Sequence, residues 1–359
     1  MTETSSQPLS ELTTLHVGGA ARELLSPSTT AELVEATLET WSRREPWFAL
    51  GGGSNLLIAD DGFDGTVIRV LSRGIDRTSL PEGSRSDRLE GGNTILRVLA
   101  GEPWDSVVVH AVEQGLSGIE ALSGIPGSAG AAPMQNIGAY GQELSEVLVS
   151  VDFLDEASGE RVTLAASELE LGYRTSSLKR GRRGVVLSLD LRLRESELSG
   201  PIAYDQLAAA LDVPVGERAP LADVRSAVLG LRSSKGMVLD PDDPDSVSAG
   251  SFFTNPIVAE NFARGLPRDA PRWILDPDAP ESDVKLSAAW LIEHSGITRG
   301  FALPGSRAAV SSKHTLALTN RGGATAGDIA ELARYIHLRV LNQFGILLQP
   351  EPQFVGLTL

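Results

Sequence analysis

The 359-residue chain predicts an α+β fold. Three features carry this reading. Candidate strands come in adjacent pairs, as in "VLVSVDFLDEASGERVTL", rather than alternating singly with helices. Helical periodicity is confined to separate stretches such as "GDIAELARYIHLRVLNQFG". Between them runs "LSGIPGSAGAAPMQNIGAYGQEL", Leu122 to Leu144, too rich in glycine and proline to continue as helix or strand.

Three regions follow along the chain. The first, residues 1–75, opens with a helix over Thr30 to Arg44, presenting Val34, Leu38 and Trp41 on one face. Thr29 and Glu32 stand at capping-box spacing before it. "WFALGGGSNLLIADDGFDGTVIRV" then reads as strand, glycine loop, short strand, turn and strand. The second region, residues 76–235, begins with a polar surface turn at Arg85 to Gly92. A strand ending at Gly101 and a helix from Trp104 stopped by Gly115 come next. A hairpin turns at Glu156 to Gly159, and Val185 to Arg194 alternates as a half-buried strand should. "DPDDPD", Asp240 to Asp245, is a rigid polar turn opening the third region, residues 236–344. There "VKLSAAWLIEHSG" reads as a helix stopped by Gly296. Ile329, Leu332, Ala333, Ile336 and Val340 form a second helical stripe, stopped by Gly345. The tail 345–359 is strand-like, with two prolines.

Composition narrows the function. Hydrophobic residues make up 42% and charged residues 22%, ordinary for a soluble globular protein. No run of 18 apolar residues suggests a membrane span, and the polar, acidic N-terminus is unlike a signal peptide. There is no cysteine, which excludes disulfides and thiolate chemistry and fits a cytoplasmic protein. A net charge of −16 disfavours nucleic acid as a partner. It also weakens self-association, so a monomer is expected. Local basic groups, Arg174, Lys179 and Arg180 or Arg232 and Lys235, leave room for a small anion. The five histidines lack metal-site spacing; no metal is expected, and each reads as a surface or supporting residue.

Two glycine segments could hold a ligand. "LGGGSNLL", Leu50 to Leu57, lets backbone N–H groups approach a phosphate, although a plain tight turn explains it equally. It lacks the Gly-Lys-Ser/Thr of a Walker loop and opens no helix. The segment Leu122 to Leu144 keeps apolar residues, Ile125, Met134, Ile137 and Tyr140, which suits a ligand-wrapping loop better than a linker. "LGYRTSSLK" pairs Tyr173 with Arg174, "VSAGSFFTNP" sets Ser251 in an apolar run, and "QPEPQF" carries Glu351 between prolines. Alone, each of these has a bland reading as turn, surface or edge.

In this order, "LGGGSNLL", "GIPGSAGAAPMQNIGAYG", "GYRTSSLK", "AGSFFTNP", "KLSAAWLIEHSG" and "QPEPQFVG" closely resemble the UDP-N-acetylenolpyruvoylglucosamine reductase (UDP-N-acetylmuramate dehydrogenase) family. The resemblance covers nearly the whole chain, and "PIAYDQL" aligns it with the longer, type I form. It implies a vanillyl-alcohol-oxidase-type FAD-binding fold in two subdomains, 1–75 and 76–235, and a C-terminal α+β substrate domain over 236–344. The tail 345–359 then returns to the first subdomain. FAD would lie along Gly51, Gly52, Gly53, Ser54, Asn55 and Leu56, along Ile125, Pro126, Gly127 and Ser128, and along Gln135, Asn136, Gly138, Ala139 and Tyr140. NADPH would be the reductant and UDP-N-acetylglucosamine enolpyruvate the substrate, contacted by Tyr173, Tyr204, Lys235 and Asn255.

The resemblance also implies roles. Ser251 protonates the carbon next to the one that receives hydride, while Arg174 and Glu351 stabilise the enolate. Glu351 could do so only by donating a hydrogen bond or ordering a water, so a raised pKa is expected. Gln353 departs from the arginine often found two positions after that glutamate, and "DPDDPD" is longer than the usual connection at the substrate-domain hinge. A flavin oxidase on the same fold, or an inactive binding protein, are the competing readings. "AGSFFTNP" with Glu351, and the lack of a histidine or cysteine near the glycine loops for covalent flavin attachment, speak against the oxidase; the presence of Arg174, Ser251 and Glu351 speaks against the inactive protein.

Overall fold

The computed structural model describes residues 7–78, 92–276 and 282–359. All of the turn expected at Arg85 to Gly92 except Gly92 falls outside these residues. The described chain gathers into two compact units, one built from residues 21–53 and 64–234, the other from 8–20, 54–63 and 235–359.

The first unit is organised by an antiparallel sheet. Its order is Arg161–Ala165, Leu148–Asp155, Gly184–Glu195, Asn93–Leu99 and Ile75–Thr78. The strand Gly184–Glu195 is central, with Leu116–Ser117 on its far end. Its alternation was expected to leave one face in water. Instead Val185 to Leu189 are buried on both faces, because helices and loops cover this part of the sheet; alternation returns only from Asp190. The hairpin at Glu156 to Gly159 forms as expected.

Helix α1 (Thr30–Ser42) is closed by the Thr29–Glu32 capping box. Its buried positions are Leu33, Thr37 and Thr40, whereas Leu38 is exposed. Of the face read from Val34, Leu38 and Trp41, Val34 and Trp41 pack against the core and only Leu38 does not; two threonines bury as well by hydrogen-bonding back to Leu33 and Ala36 carbonyls. Helix α2 (Trp104–Glu113) buries Trp104, Val107, Val108 and Ala111 into the same core. Helices α3 (Asp205–Leu211) and α4 (Leu221–Ser233) pack through Leu207, Ala208, Val224 and Val228.

The second unit holds α5 (Glu260–Arg264), α6 (Ala288–His294) and α7 (Ala326–Phe344). The stripe Ile329, Leu332, Ala333, Ile336 and Val340 is buried, and Gly345 ends α7 at φ +69°. Burying such side chains stabilises by about 1.5–3 kcal/mol each for the large ones. One expectation fails. The segment Asp283–Leu286 is a strand, not the first turn of a helix, because it is paired on both sides by Ile257–Ala259 and Arg272–Ile274. Ser287 then caps α6 by accepting the Trp290 N–H. A second sheet orders Ser248–Ser251, Ala317–Asn320 and Ala308–Val310. The tail contributes Gln353–Val355, which pairs in parallel with Leu56–Ile58.

Candidate active-site residues

In the first unit, two glycine-rich loops meet. A Cβ built on Gly52 would stand 2.6 Å from Gly127 Cα, and one on Gly51 would stand 2.3 Å from Ser128 Oγ. Gly53 adopts φ +62°, a conformation that favours glycine. The three glycines are thus required by close approach and by backbone shape. The second loop follows Gly124 through Ile125, Pro126, Gly127 and Ser128 into a 3-10 helix, Ala129–Gln135. Asn136 ends that helix in the left-handed region and is buried. Its amide NH2 donates to Glu143 (2.9 Å), and its oxygen accepts from the Ser145 N–H (2.9 Å). The Asn136 side chain therefore holds the loop together.

Gly138–Ala139 pairs with Gln142–Glu143 around Tyr140 and Gly141, both at positive φ. This is a two-residue hairpin turn whose backbone twist matches the strands, with a tyrosine where glycine or asparagine is usual. The turn presents Tyr140 edge-on to Tyr204, ring centroids 5.7 Å apart. Burial raises the Tyr140 phenol above its usual value, opposed by the nearby Arg232 charge. Arg232 is itself held below the ordinary arginine value, chiefly by burial, with Tyr140 and Asp105 acting against that shift and Arg174 adding to it.

Arg174 occupies a tight turn in which Gly172 and Thr175 exchange backbone hydrogen bonds, with Arg174 at φ +53°. Its guanidinium donates to the carbonyls of Gly138 (2.7 Å) and Asn136 (3.3 Å), and lies 5.8 Å from the Tyr173 ring centroid. Arg174, Tyr173, Asn136, Gly138, Tyr140, Tyr204 and Arg232 therefore form one neighbourhood. The basic run "LKRGRRG" does not supply a free cationic patch. Arg180 pairs with Glu170, Arg182 with Asp155 and Arg183 with Glu156.

The second unit brings Ser251 and Glu351 together. Ser251 ends a strand opposite Ala317, just after Gly250 at φ +70°. Nothing lies within 4 Å of a Cβ built on Gly250, so the space there is open. Phe252 and Phe253 are fully buried and fix the strand end. The Phe252 carbonyl accepts the Glu351 N–H at 2.8 Å, and Phe253 bridges Pro350. Asn55 completes the tie: its NH2 donates to the Glu351 carbonyl (3.2 Å), and its own carbonyl accepts the Gln353 N–H (3.0 Å). Leu56 follows in the strand that Gln353 pairs with, and Ser54 precedes it. Asn255 Oδ1 accepts the Ala288 N–H at the start of α6 (3.0 Å).

Three groups escaped sequence reasoning. His314 is half-buried beside Lys235, Arg299 and Glu293. Burial first, then the charges of Lys235 and Arg299, lower its pKa to about 4, with Glu293 opposing. Asp245 is not part of an exposed turn. It is buried, accepts from Ser312 N–H (2.9 Å) and Oγ (2.5 Å), and pairs with Arg321 (3.1 Å). Burial works against its charge, but these partners hold its carboxyl below the usual range. Asp105 and Arg225 form a two-pronged ion pair in the first unit (2.7 and 2.8 Å). Neither His314 nor the Asp105–Arg225 pair stands in a recognisable motif, and "DPDDPD" marked Asp245 only as part of a turn. Among the described residues, no group of three metal-ligating side chains is close enough to hold an ion, and no helix is long and apolar enough to cross a membrane.

Comparison with known proteins agrees with this geometry. Residues 21–165 match the FAD binding domain family, and residues 242–355 match the C-terminal domain family of UDP-N-acetylenolpyruvoylglucosamine reductase. A UDP-N-acetylenolpyruvoylglucosamine reductase from Leifsonia xyli subsp. xyli is 56% identical, with 98% of each chain covered. One from Thermobifida fusca is 48% identical over the same share of both. The solved reductase from Thermus caldophilus superposes with a TM-score of 0.65 at 27% identity, covering 99% of this chain and 100% of its own. The α+β FAD-binding fold expected from the sequence therefore stands. This chain belongs to the UDP-N-acetylenolpyruvoylglucosamine reductase family, flavin-dependent oxidoreductases that use FAD and NADPH.

Proposed function

We propose that the protein reduces the enolpyruvyl group of UDP-N-acetylglucosamine enolpyruvate to give UDP-N-acetylmuramate, a peptidoglycan precursor, with NADPH as electron donor. The observation that carries this reading is the Phe252–Glu351 backbone hydrogen bond, which brings the backbone of Glu351 next to the residue that follows Ser251 in "AGSFFTNP". The residues present suit FAD. The Gly51–Gly53 and Gly124–Ser128 loops pack with no side chain between Gly52 and Gly127, and glycine backbone of this kind can offer N–H groups to a phosphate. We assign them, with Ser54, Asn55, Leu56 and the Gln135–Tyr140 stretch, to the cofactor.

When bound, FAD would take reducing equivalents from NADPH and supply a hydride to the terminal methylene carbon of the substrate. As that bond forms, the electron pair of the double bond moves onto the neighbouring carbon and into its carboxylate. The guanidinium of Arg174 matches such a carboxylate in shape and charge. Glu351 helps if it is protonated or holds a water, since a bare carboxylate would repel the enolate. Ser251 gives its hydroxyl proton to the neighbouring carbon and recovers one from solvent. A serine is a weak acid in water, but its transfer to a strongly basic enolate can run downhill. Tyr173, Tyr204, Lys235 and Asn255 are assigned to the nucleotide-sugar. The enzyme is placed in the cytoplasm, acting as a monomer, with 236–344 as the substrate domain.

Ser251→Ala tests the assignment. Turnover should fall by about 10²–10⁴-fold, the usual range for a positioned acid. Stopped-flow flavin reduction by NADPH should stay within about twofold of the parent. Equal impairment of flavin reduction and of reoxidation by substrate would remove Ser251 from the proton-donor role. A purified protein without flavin absorbance after FAD is added would undo the whole reading.

A further inference from the structure

We infer that the Asp105–Arg225 ion pair is a positioning device that holds the Gly124–Ser128 loop in its cofactor-ready shape and couples it to Arg232. The inference rests on the assignment of that loop to FAD.

The second half of the loop is held by backbone bonds. Gly127 O accepts from Trp104 N–H (3.0 Å), while the Ala129 and Gly130 N–H groups donate to Glu102 O and Ala100 O (2.8 Å each). The first half is anchored by a side chain. Asp105 Oδ1 accepts the Gly124 N–H at 2.6 Å, where Gly124 turns at φ +69°. The same carboxylate receives both prongs of Arg225, so its position is set by α4 as well as by α2. Such planar two-bond pairing fixes orientation as well as distance.

Helix α4 meets the loop along one face. Arg225, Leu229 and Arg232 are spaced four and three residues apart, which places them in line on a helix. A Cβ built on Gly124 would lie 2.8 Å from Leu229 and 3.4 Å from Arg232 Nε. The ion pair at Arg225 therefore sets the register of α4 against Gly124. That register places Arg232 near Tyr140 and Arg174, where its charge opposes the rise of the Tyr140 phenol and the Arg174 charge in turn bears on Arg232. Asp105 and Arg225 touch neither the reacting atoms nor the candidate substrate contacts; they act through the loop and through Arg232.

The test uses the full-length holoenzyme. Asp105→Asn keeps the shape of the side chain but removes its charge and one acceptor oxygen. We expect FAD, released by serial dilution and followed by fluorescence, to bind at least tenfold more weakly. The visible flavin bands of the remaining complex should shift. Arg225→Lys, which keeps one charged contact, should fall between Asp105→Asn and the parent in both readouts. If both variants lower the melting temperature yet keep FAD affinity within twofold and leave the flavin bands unchanged, the pair is merely structural and the inference fails. Gly127→Ala separates the two levels. Unchanged FAD binding there would overturn the loop assignment and the inference with it. Lost FAD binding in Gly127→Ala, with normal binding in Asp105→Asn, would overturn the inference alone.

Discussion

His314 shows how a single side chain takes its character from neighbours that no motif announces. Its imidazole is half-buried among Lys235, Arg299 and Glu293, and its pKa is lowered to about 4. It is therefore neutral at physiological pH and can accept or donate one hydrogen bond without adding charge beside Lys235. The sign of the pH effect follows. A folded pKa below the ordinary 6.5 means that stability is full above about pH 6.5 and falls as acid protonates the unfolded chain first. The loss down to pH 4 from this one group is roughly 3 kcal/mol. Denaturant unfolding of the parent and of His314→Gln between pH 7 and 4 checks this, since the variant should show a flatter profile. An NMR titration of His314 near its ordinary value would contradict it. Arg174, Ser251 and Glu351 could be singled out as candidates because each lies in a distinctive string. His314, Asp105 and Asp245 were not, because burial and distant partners give them their roles.

At the scale of elements, local signals were readable where the cause is local. The Thr29–Glu32 capping box, the stop at Gly345 and the stripe on α7 all depend on residues within a few positions of one another. The strand Asp283–Leu286 was misread as helix because its pairing partners lie tens of residues away. On α1 only Leu38 was misjudged, while the buried Thr37 and Thr40 gave no signal, since threonines can bury by bonding to their own helix. The meeting of the two glycine loops makes a sharp prediction. In Gly52→Ala the new methyl would collide with backbone at Gly127, which cannot swing away as a side chain could. Stability should fall by about 1–3 kcal/mol, as overpacking typically costs. FAD affinity should fall at least tenfold, measured by fluorescence titration. An alanine variant that binds FAD normally would mean that the loops separate freely.

For the whole molecule, the family resemblance rested on the order of segments across nearly the entire chain. The relatives bear it out over 98% of that length. What the order of segments concealed is that neither compact unit is continuous in sequence. Cofactor binding should be visible as global stabilisation. A ligand that binds only the folded chain adds stability by mass action, about 2.7 kcal/mol at a hundred times its dissociation constant. Scanning calorimetry with increasing FAD should therefore raise the melting temperature steadily. A melting temperature indifferent to FAD would contradict a specific site.

The bond between Glu351 and Phe252, with Asn55 tied to the same residue, also fixes an order of events during synthesis. Residues 21–234 can emerge from the ribosome and collapse while the rest is still being translated. The neighbourhood of Ser251 cannot be finished then, for the backbone that bonds to Phe252 comes from a hundred residues downstream, in a segment that pairs with Leu56–Ile58 from near the start. Until that late segment arrives, the strand Leu56–Ile58 waits with an unpaired edge. The nascent chain can thus form the Gly51–Gly53 and Gly124–Ser128 loops long before the strand end at Ser251 is closed by the tail.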